Sequence, residues 1–365
     1  MIRRSLVLSA LLLLGAALSV TAATAACASK HIVGTPTPTA VPTVSATPAS
    51  SSTDTTPPID AFVIYRDQDG NLVARDFSSG ASYVQTVDYN SEVIVQSVCS
   101  NDGSKVGYLI QNFSEKFRRL DIRGTGAPAQ YIQVSSNVQG FAWSPDSSKI
   151  ALAVWDNQAK KSTITLVDVA SGQTTDIWNG TMLAGGLAWS PDGTQLVFDL
   201  QDAGAGSSKI ALMSASGGEP HNLVADASLQ WLDPIWTPDG KSIIATGLST
   251  SAAQLYRIDA DSGQPTQLTQ DPTIYRRDPQ FSPDGNLIAF TGSIVLQGVS
   301  AIAYAEHQFG IFTVNPDGSN EKALTVDPRT NPGANVDPYL NAYLLGWCKA
   351  GPWLDSSWVP QEVAQ

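Results

Sequence analysis

Short runs of alternating apolar and polar residues recur from about residue 60 to residue 353, and they predict β-strands. Many of these runs flank a turn that opens with an aromatic residue or its replacement and continues as Pro-Asp-Gly or a variant. The copies are Cys99-Ser100-Asn101-Asp102-Gly103, Trp143-Ser144-Pro145-Asp146-Ser147, Trp189-Ser190-Pro191-Asp192-Gly193, Trp236-Thr237-Pro238-Asp239-Gly240, Phe281-Ser282-Pro283-Asp284-Gly285 and the degenerate Trp347-Cys348-Lys349-Ala350-Gly351. The first five copies start 44, 46, 47 and 45 residues apart, and each predicts a β-hairpin.

A second series of strands ends in glycine turns that fall between these hairpins. The glycines are Gly80, Gly126, Gly172, Gly218, Gly263 and Gly318, spaced 46, 46, 46, 45 and 55 residues apart. Two hairpins in each period make four strands, and four strands in about 45 residues are typical of a β-propeller blade. Six copies therefore predict an all-β, six-bladed propeller with four-stranded blades.

The order of the two series predicts how the ring closes. From residue 60 the chain begins with a second-half hairpin, and it ends with a first-half turn at Trp347. We therefore expect strands near 61–84 to share one blade with the segment 343–353, so that neither end leaves an open sheet edge. The predicted propeller spans residues 59–358 and is followed by a tail at 359–365.

These motifs resemble the TolB-type propeller repeat, whose consensus is Pro-x-Trp-Ser-Pro-Asp-Gly, a short apolar strand, Ile-Tyr-x-x-Asp-x-x-Gly-Gly and a closing Leu-Thr. Leu268-Thr269 and Leu324-Thr325 supply the closing pair, and the resemblance covers about residues 60–353. The protein that gives the family its name belongs to the periplasmic Tol-Pal assembly of the cell envelope. Related repeats form propellers of prolyl-oligopeptidase-type enzymes and some polysaccharide lyases, so the resemblance implies the fold and leaves binding and catalysis both open.

The amino terminus has the layout of a secretory signal. Arg3 and Arg4 precede an apolar run from Leu6 to Val20, and small residues follow at 21–26. We interpret residues 1–26 as a signal peptide. A retained anchor helix is the alternative, although the apolar run is short for a membrane span.

The segment after the signal predicts a tether. Thr24-Ala25-Ala26-Cys27 resembles a bacterial lipoprotein box, which makes Cys27 the expected site of lipid attachment; ordinary cleavage at Ala23-Thr24-Ala25 is the alternative. Residues 27–58 are rich in Thr, Ser, Pro and Ala, which predicts a disordered spacer, with a secretion remnant or a glycosylated stalk as the alternative. We expect an exported protein, either lipid-anchored at a bacterial cell envelope or secreted.

Charge and composition limit the partners and the chemistry that we expect. Lys and Arg number 21 and Asp and Glu number 33, for a net charge of −12, so nucleic acid is not an expected partner. The three histidines, His31, His221 and His307, form no HExxH motif, and no G-x-S-x-G motif occurs. We therefore predict no catalytic residue, no cofactor and no metal, and a monomer that contacts a membrane only through its lipid.

The residues that recur in every turn have a structural explanation. A short carboxylate that accepts backbone N–H groups accounts for the turn aspartates without any ligand. The aromatic residue that opens each turn is predicted to pack between blades.

We number the blades from the hairpin that contains Cys99. Two segments contain residues that the repeat itself does not require. Aromatic and charged residues precede the hairpins of blades 4 and 5, where the innermost strand begins and rims the central channel. The candidate rim residues for a ligand or partner are Trp231, Asp233, Tyr275, Arg276, Arg277 and Asp278. Their alternative is a set of salt bridges from Arg276 or Arg277 to Asp233 or Asp278. The second place is an apolar insertion at 293–310, which either packs over a blade or offers a docking patch.

Cys99 and Cys348 occupy hairpin starts in blades 1 and 6, which are neighbours only if the ring closes. An oxidising compartment permits a disulfide between them. The alternative is that adjacent inner strands hold the two α-carbons too far apart.

We interpret the chain as a non-catalytic, exported binding or interaction module of the TolB-like propeller type. Its expected partner is an envelope protein, a peptide or a small polar ligand. The alternative is an enzyme that acts on glycans or peptides at the mouth of the channel.

Overall fold

The computed structural model describes the strands of one compact unit that begins at Ile59. The described residues are 61–66, 72–85, 92–112, 117–124, 130–132, 138–202, 204, 206–224, 228–295, 307–324, 343–349 and 359–361. The predicted signal peptide, Cys27 and the spacer 27–58 lie outside them, as do residues 296–306 of the insertion. Within these ranges, no helix is long and apolar enough to cross a bilayer.

The strands form six antiparallel sheets, which are the blades of a propeller. The first three strands, β1 (Ala61–Arg66), β2 (Leu72–Asp76) and β3 (Ser82–Gln85), belong to blade 6. Blade 1 contains β4 (Glu92–Cys99), β5 (Lys105–Asn112), β6 (Phe117–Gly124) and β7 (Gln130–Ile132). Blade 2 contains β8 (Val138–Trp143), β9 (Lys149–Asp156), β10 (Lys161–Asp168) and β11 (Thr174–Gly180).

The remaining sheets follow the same plan. Blade 3 contains β12 (Leu183–Trp189), β13 (Gln195–Asp202), β14 (Ser207–Ser214) and β15 (His221–Asn222). Blade 4 contains β16 (Gln230–Trp236), β17 (Ser242–Leu248), β18 (Ala253–Asp259) and β19 (Pro265–Gln267). Blade 5 contains β20 (Ile274–Phe281), β21 (Ile288–Val295), β22 (His307–Val314) and β23 (Lys322–Ala323). Blade 6 adds β24 (Tyr343–Lys349) and β25 (Val359–Gln361) to the first three strands.

The ring closes through the first and last parts of the propeller, as predicted. The innermost strands contact one another in a closed series: β4 with β8, β8 with β12, β12 with β16, β16 with β20, β20 with β24, and β24 with β4. In blade 6, β24 pairs with β1 and places Cys348 opposite Phe62 and Trp347 opposite Val63. The six-bladed, all-β architecture is thereby confirmed.

Blade 6 has one strand more than predicted. Strand β25 pairs with the outer strand β3, so this sheet has five strands where the other five have four. The strand lies in the segment predicted to be a tail, and the propeller therefore extends past residue 358. An added strand of this kind covers backbone groups that an outer edge would otherwise leave unpaired.

Each Pro-Asp-Gly turn is closed by its own aspartate. In blade 3 the Ser190 hydroxyl donates to Asp192 Oδ1 at 2.6 Å, and the Thr194 amide donates to the same oxygen at 3.0 Å. These bonds stabilise the ionised carboxylate and lower the pKa of Asp192. The same two bonds recur at Asp102, Asp146, Asp239 and Asp284. The structure thus supports the turn explanation for this ring of aspartates.

Tryptophans join neighbouring blades. The Nε1 of Trp143 in blade 2 donates to the Val98 carbonyl of blade 1 at 2.9 Å, and the Nε1 of Trp189 in blade 3 donates to the Ala142 carbonyl of blade 2 at 3.2 Å. The predicted packing between blades is therefore correct for these two rings. The buried Nε1 of Trp236 has no hydrogen-bond partner in the described part of the chain.

Every innermost strand contains a β-bulge in its pairing with the next strand of the blade. The register shifts between Ile94 and Gln96, Val138 and Gly140, Gly185 and Ala188, Leu232 and Ile235, Arg277 and Gln280, and between the partners of Ile64 and Tyr65 in β24. A bulge re-aims side chains locally. Since the free edges of these strands border the central channel, the bulges decide which side chains line it.

We expect Trp143→Phe to destabilise the propeller by about 1–2 kcal/mol more than Trp236→Phe. Both rings are buried, but only Trp143 loses a hydrogen bond and leaves a carbonyl unpaired. Urea unfolding followed by fluorescence measures the difference. Equal losses of stability in the two variants would show that the indole hydrogen bond does not stabilise the contact between blades 1 and 2.

Candidate functional site

Trp231 lies inside blade 4 and not on the channel rim, so this part of the prediction is wrong. The residue is 1% exposed, and its ring meets that of Tyr256 edge to face at a centroid distance of 5.1 Å. Gly247 stands opposite Trp231 in β17, and a Cβ there would approach the Tyr256 ring to 2.6 Å. The missing side chain at Gly247 leaves the space that Tyr256 occupies against Trp231.

Arg276 is also buried, which corrects its placement on the rim. It is 1% exposed and forms a two-pronged ion pair with Glu321, with Nε to Oε2 at 2.9 Å and Nη2 to Oε1 at 3.1 Å. Its Nη1 donates to Gln254 Oε1 at 3.0 Å and to the carbonyls of Asp271 and Ile274 at 2.9 Å. Burial alternates along β20, so Arg276 joins blades 4 and 5 while its neighbours Tyr275 and Arg277 remain partly exposed.

The other rim residues form a cluster at the bulges of blades 4 and 5. The Nε of Arg277 donates to Asp233 Oδ2 at 2.6 Å, and the Asp278 amide donates to the same oxygen at 3.3 Å. The salt bridge between Arg277 and Asp233, left open by the sequence, is therefore present. Asp278 is exposed although it lies within an innermost strand, so its side chain reaches the channel. Tyr275 is half-buried at the start of the same strand.

The two bulge aspartates adopt a left-handed backbone. Asp233 has a φ of 54° and Asp278 a φ of 53°, and Gly186 holds the equivalent position in blade 3 with a φ of 44°. Aspartate tolerates this conformation better than most residues, but it is uncommon and is retained only where the surroundings fix it. Here the hydrogen bond from the Asp278 amide to the Asp233 carboxylate links one bulge to the next.

Asp199 belongs to the cluster and was not predicted. It is 1% exposed on β13 and accepts a hydrogen bond from Gln201 Nε2 at 2.8 Å. A Cβ at Gly186 would lie 2.2 Å from Asp199 Oδ1, so the bulge of blade 3 needs glycine to admit this carboxyl. The only sequence signal is a charged residue within the apolar run 196–200.

Asp199 occupies a position that joins blades elsewhere in the ring. Thr246, its equivalent in blade 4, donates to the Arg276 carbonyl of blade 5 at 3.2 Å. Thr291, its equivalent in blade 5, accepts from the Leu344 amide of blade 6 at 3.1 Å. Blade 3 thus uses a carboxyl where blades 4 and 5 use a hydroxyl, and this replacement adds a titratable group.

Surrounding protein and like charge raise the pKa of two carboxyls in the cluster, Asp199 and Asp278. Burial raises the pKa of Asp199 to about 7, the negative charge of Asp233 adds to the rise, and the Gln201 hydrogen bond opposes it. The protein surrounding Asp278 raises its pKa as well, followed by the charge of Asp233, while Arg277 acts in the opposite direction. Three carboxyls share one guanidinium, so the cluster can accept cationic or hydrogen-bond-donating groups and can exchange protons near pH 7.

No set of three or more His, Cys, Asp and Glu side chains in the described ranges is placed to hold a metal ion. A separate groove of about 560 Å³ lies between blades 2 and 3 on the face that carries the Pro-Asp-Gly turns. Its lining includes Pro145, Leu166 and Trp189, with Lys149 at its edge. Its aspartates, Asp146 and Asp192, already close their own turns, so the groove offers no free carboxylate.

The structure brings Cys99 and Cys348 together in a disulfide with a Cα–Cα distance of 5.4 Å. That distance is usual for disulfides, so the inner strands do not hold the two residues too far apart. Both cysteines are buried, at 8% and 1% exposure.

The repeat arrangement and the closed ring agree with a family comparison. Residues 102–332 match the family model described as the TolB beta propeller domain. The chain belongs to this TolB propeller family. No curated protein matches the chain significantly.

Solved structures similar to this TolB-family propeller include two described as TolB and one oligogalacturonate lyase. TolB from Acinetobacter baumannii is 22% identical with a TM-score of 0.48, over 66% of this chain and 54% of that one. A putative TolB from Agrobacterium tumefaciens is 17% identical with a TM-score of 0.55, over 73% and 88%. An oligogalacturonate lyase from Vibrio parahaemolyticus is 14% identical with a TM-score of 0.47, over 72% and 78%.

These likenesses concern the fold. The chain spans only about half the length of the Acinetobacter protein. Activity and partners of this TolB-family chain must therefore be argued from its own residues.

We expect the free energy of unfolding to fall as pH rises from about 4 to 7 and then to level off, because folded Asp199 keeps a proton that the unfolded chain loses near pH 4. The full effect of this group is roughly 4 kcal/mol. In urea unfolding at pH 5 and pH 8, Asp199→Asn should reduce the pH dependence, and Asp199→Asn combined with Asp278→Asn should remove the part that remains from Asp278. Asp192→Asn is the control and should keep the slope, since Asp192 stays ionised over this range. A wild-type slope that survives in Asp199→Asn would show that Asp199 does not titrate near neutral pH.

Proposed function

We propose that this TolB-family chain is a non-catalytic, exported binding or interaction module at the bacterial cell envelope. One observation carries the proposal: adjacent bulges of blades 4 and 5 hold Arg277 against Asp233 and leave Asp278 exposed in the channel. Among the described residues, none donates a hydrogen bond to the Asp278 carboxylate. A peptide segment or a small polar ligand has both the donors and the acceptors that this pair can bind.

Rigidity supports binding at this place. A hydrogen bond from the Asp278 amide connects Asp233 of blade 4 to the bulge of blade 5. A ligand that meets a prearranged set of groups loses less free energy to the ordering of the protein. The Arg277 side chain is 43% exposed, so its guanidinium is partly open to the channel while Asp233 fixes its direction.

Export rests on the amino-terminal sequence and on the family. Arg3 and Arg4, the apolar run that follows, and Cys27 after Ala25-Ala26 fit a lipoprotein signal. TolB proteins are among the similar structures. A lipid on Cys27 and the spacer 27–58 would hold the propeller near a membrane while its channel stays open to partners.

A second function is favoured by one observation. A buried carboxyl whose pKa is about 7, as for Asp199, is a feature of general acid–base catalysis, and it lies close to the exposed Asp278. This supports an enzyme that acts on glycans or peptides at the channel. The low exposure of Asp199 weighs against direct contact with a substrate.

Capture of partners from envelope extracts tests the binding proposal. We expect the wild-type chain to retain a partner that the double variant Arg277→Ala, Asp278→Asn fails to retain, because the exposed charges of the rim are gone. Lys149→Ala at the separate groove is the matched control and should retain the partner. Arg276 is left unchanged, since its loss would strand Glu321 without its ion pair.

The outcomes separate the two functions. If Lys149→Ala loses the partner and the rim double variant retains it, the binding surface lies at the groove. That outcome would contradict binding at the rim. Turnover of oligogalacturonates or peptides by the purified chain, abolished by Asp199→Asn in a folded variant, would replace the binding proposal with the enzyme.

Lipid attachment is tested by labelled palmitate in a bacterial host. We expect the wild-type chain to incorporate the label and Cys27→Ser to lose it, since Cys27 supplies the acylated amino terminus. Export of Cys27→Ser in soluble form would confirm that the signal works without the lipid. An unlabelled wild-type chain would exclude the lipoprotein.

A further inference from the structure

The ring is closed without backbone continuity at one place, inside blade 6, where β24 meets β1–β3. Strand β24 reaches blade 6 from blade 5, whereas β1–β3 reach blade 6 from the amino-terminal side and continue into blade 1. Without a crosslink, the connection between the two ends of the ring is non-covalent. It includes the pairing of β24 with β1, the pairing of β25 with β3 and the packing of β24 against β4.

The disulfide lies at this seam, in a position that aromatic residues occupy elsewhere. Cys99 opens the turn of blade 1, and its counterparts in the other blades are Trp143, Trp189, Trp236, Phe281 and Trp347. Trp143 and Trp189 each reach back from this position to a carbonyl of the preceding blade. Cys99 reaches back in the same direction, to Cys348 of blade 6, so a covalent bond stands where other seams have an indole.

The bond changes the connectivity of the whole ring. It joins residues 249 positions apart, and the closed loop passes through all six blades. With the bond present, β24 stays attached to blade 1 even if β24 separates from β1. With the bond absent, the ring opens once β24 separates from β1 and β25 from β3.

The bond is also shielded once it has formed. Cys99 and Cys348 belong to one apolar cluster at the seam, together with Phe62 and Ile64 of β1 and Tyr108 of β5. Both cysteines are almost fully buried. A reductant can therefore reach the sulfur atoms only after the seam has opened.

We propose that the Cys99–Cys348 disulfide is an oxidative lock that forms as the ring closes and then keeps β24 of blade 6 attached to blade 1. Its timing in the cell rests on the proposed export, because an oxidising compartment allows the bond to persist. While the seam is still open, one cysteine thiolate attacks the disulfide of a thiol–disulfide oxidoreductase, and the other displaces that catalyst from the mixed disulfide as the two cysteines meet. The chain loses two electrons and two protons, and the catalyst leaves as a dithiol.

The lock is tested with the purified full-length chain in oxidised form, in reduced form, and as the double variant Cys99→Ser, Cys348→Ser. We expect the oxidised chain to unfold in urea with an equilibrium constant at least 100-fold smaller than that of the reduced chain, as expected for a loop of this length. The double variant should match the reduced chain within about threefold. Equal stability of oxidised and reduced wild type would overturn the lock.

Two further measurements test how well the folded chain shields the disulfide and which cysteines pair when the chain is oxidised. Dithiothreitol should reduce the folded chain at least 100-fold more slowly than the chain in guanidinium, because the folded seam shields the bond. In a chain produced without lipid on Cys27, oxidation of the folded protein should give only the Cys99–Cys348 pair and leave Cys27 free for alkylation, whereas oxidation in guanidinium should also give pairs with Cys27. Rapid reduction of the folded chain, or mixed pairing in it, would contradict the proposal.

The lock and the proposed function can fail separately. Loss of partner capture in the rim variant is measured on oxidised protein, and the lock is measured without any partner. If the oxidised chain is no more stable than the reduced chain but still binds its partner through the rim, the lock is refuted and the proposed function stands.

Discussion

The pairing of β24 with β1 is the constraint on which the rest of the propeller depends. It joins the beginning and the end of the folded region in one sheet, and it brings every innermost strand into contact with two others. The channel exists only because this series is closed. The bulges of blades 3 to 5 can therefore link their side chains across blades, which isolated hairpins could not do.

The candidate site arises from substitutions at positions that every blade possesses. Bulges recur in all six innermost strands, and threonines or an aspartate join the blades beside them. Blades 4 and 5 place aspartates at the bulge, and blade 3 pairs a glycine there with the buried Asp199. The repeat supplies the geometry and the local sequence supplies the charge, so the cluster needs no added domain or loop.

Local periodicity was sufficient to predict the blades, the turns and the shared blade, because hairpins depend on residues close in sequence. The site depended on residues far apart. Arg276 is buried because Glu321 lies 45 residues further along, and Trp231 is buried against Tyr256 beside Gly247. Asp199 gave little signal, because its neighbours Gly186 and Asp233 meet it only after the blades assemble. The bulges that aim Asp233 and Asp278 likewise have no distinct sequence pattern.

The fifth strand of blade 6 has a practical consequence for attaching probes. Strand β25 runs along the outer side of β3, at the circumference of the disc and on the opposite edge of the sheet from β24. A fluorophore or fusion partner joined beyond Gln361 would thus emerge from the perimeter, well away from the central opening. Carboxyl-terminal labelling is accordingly the route that leaves the mouth of the channel unobstructed.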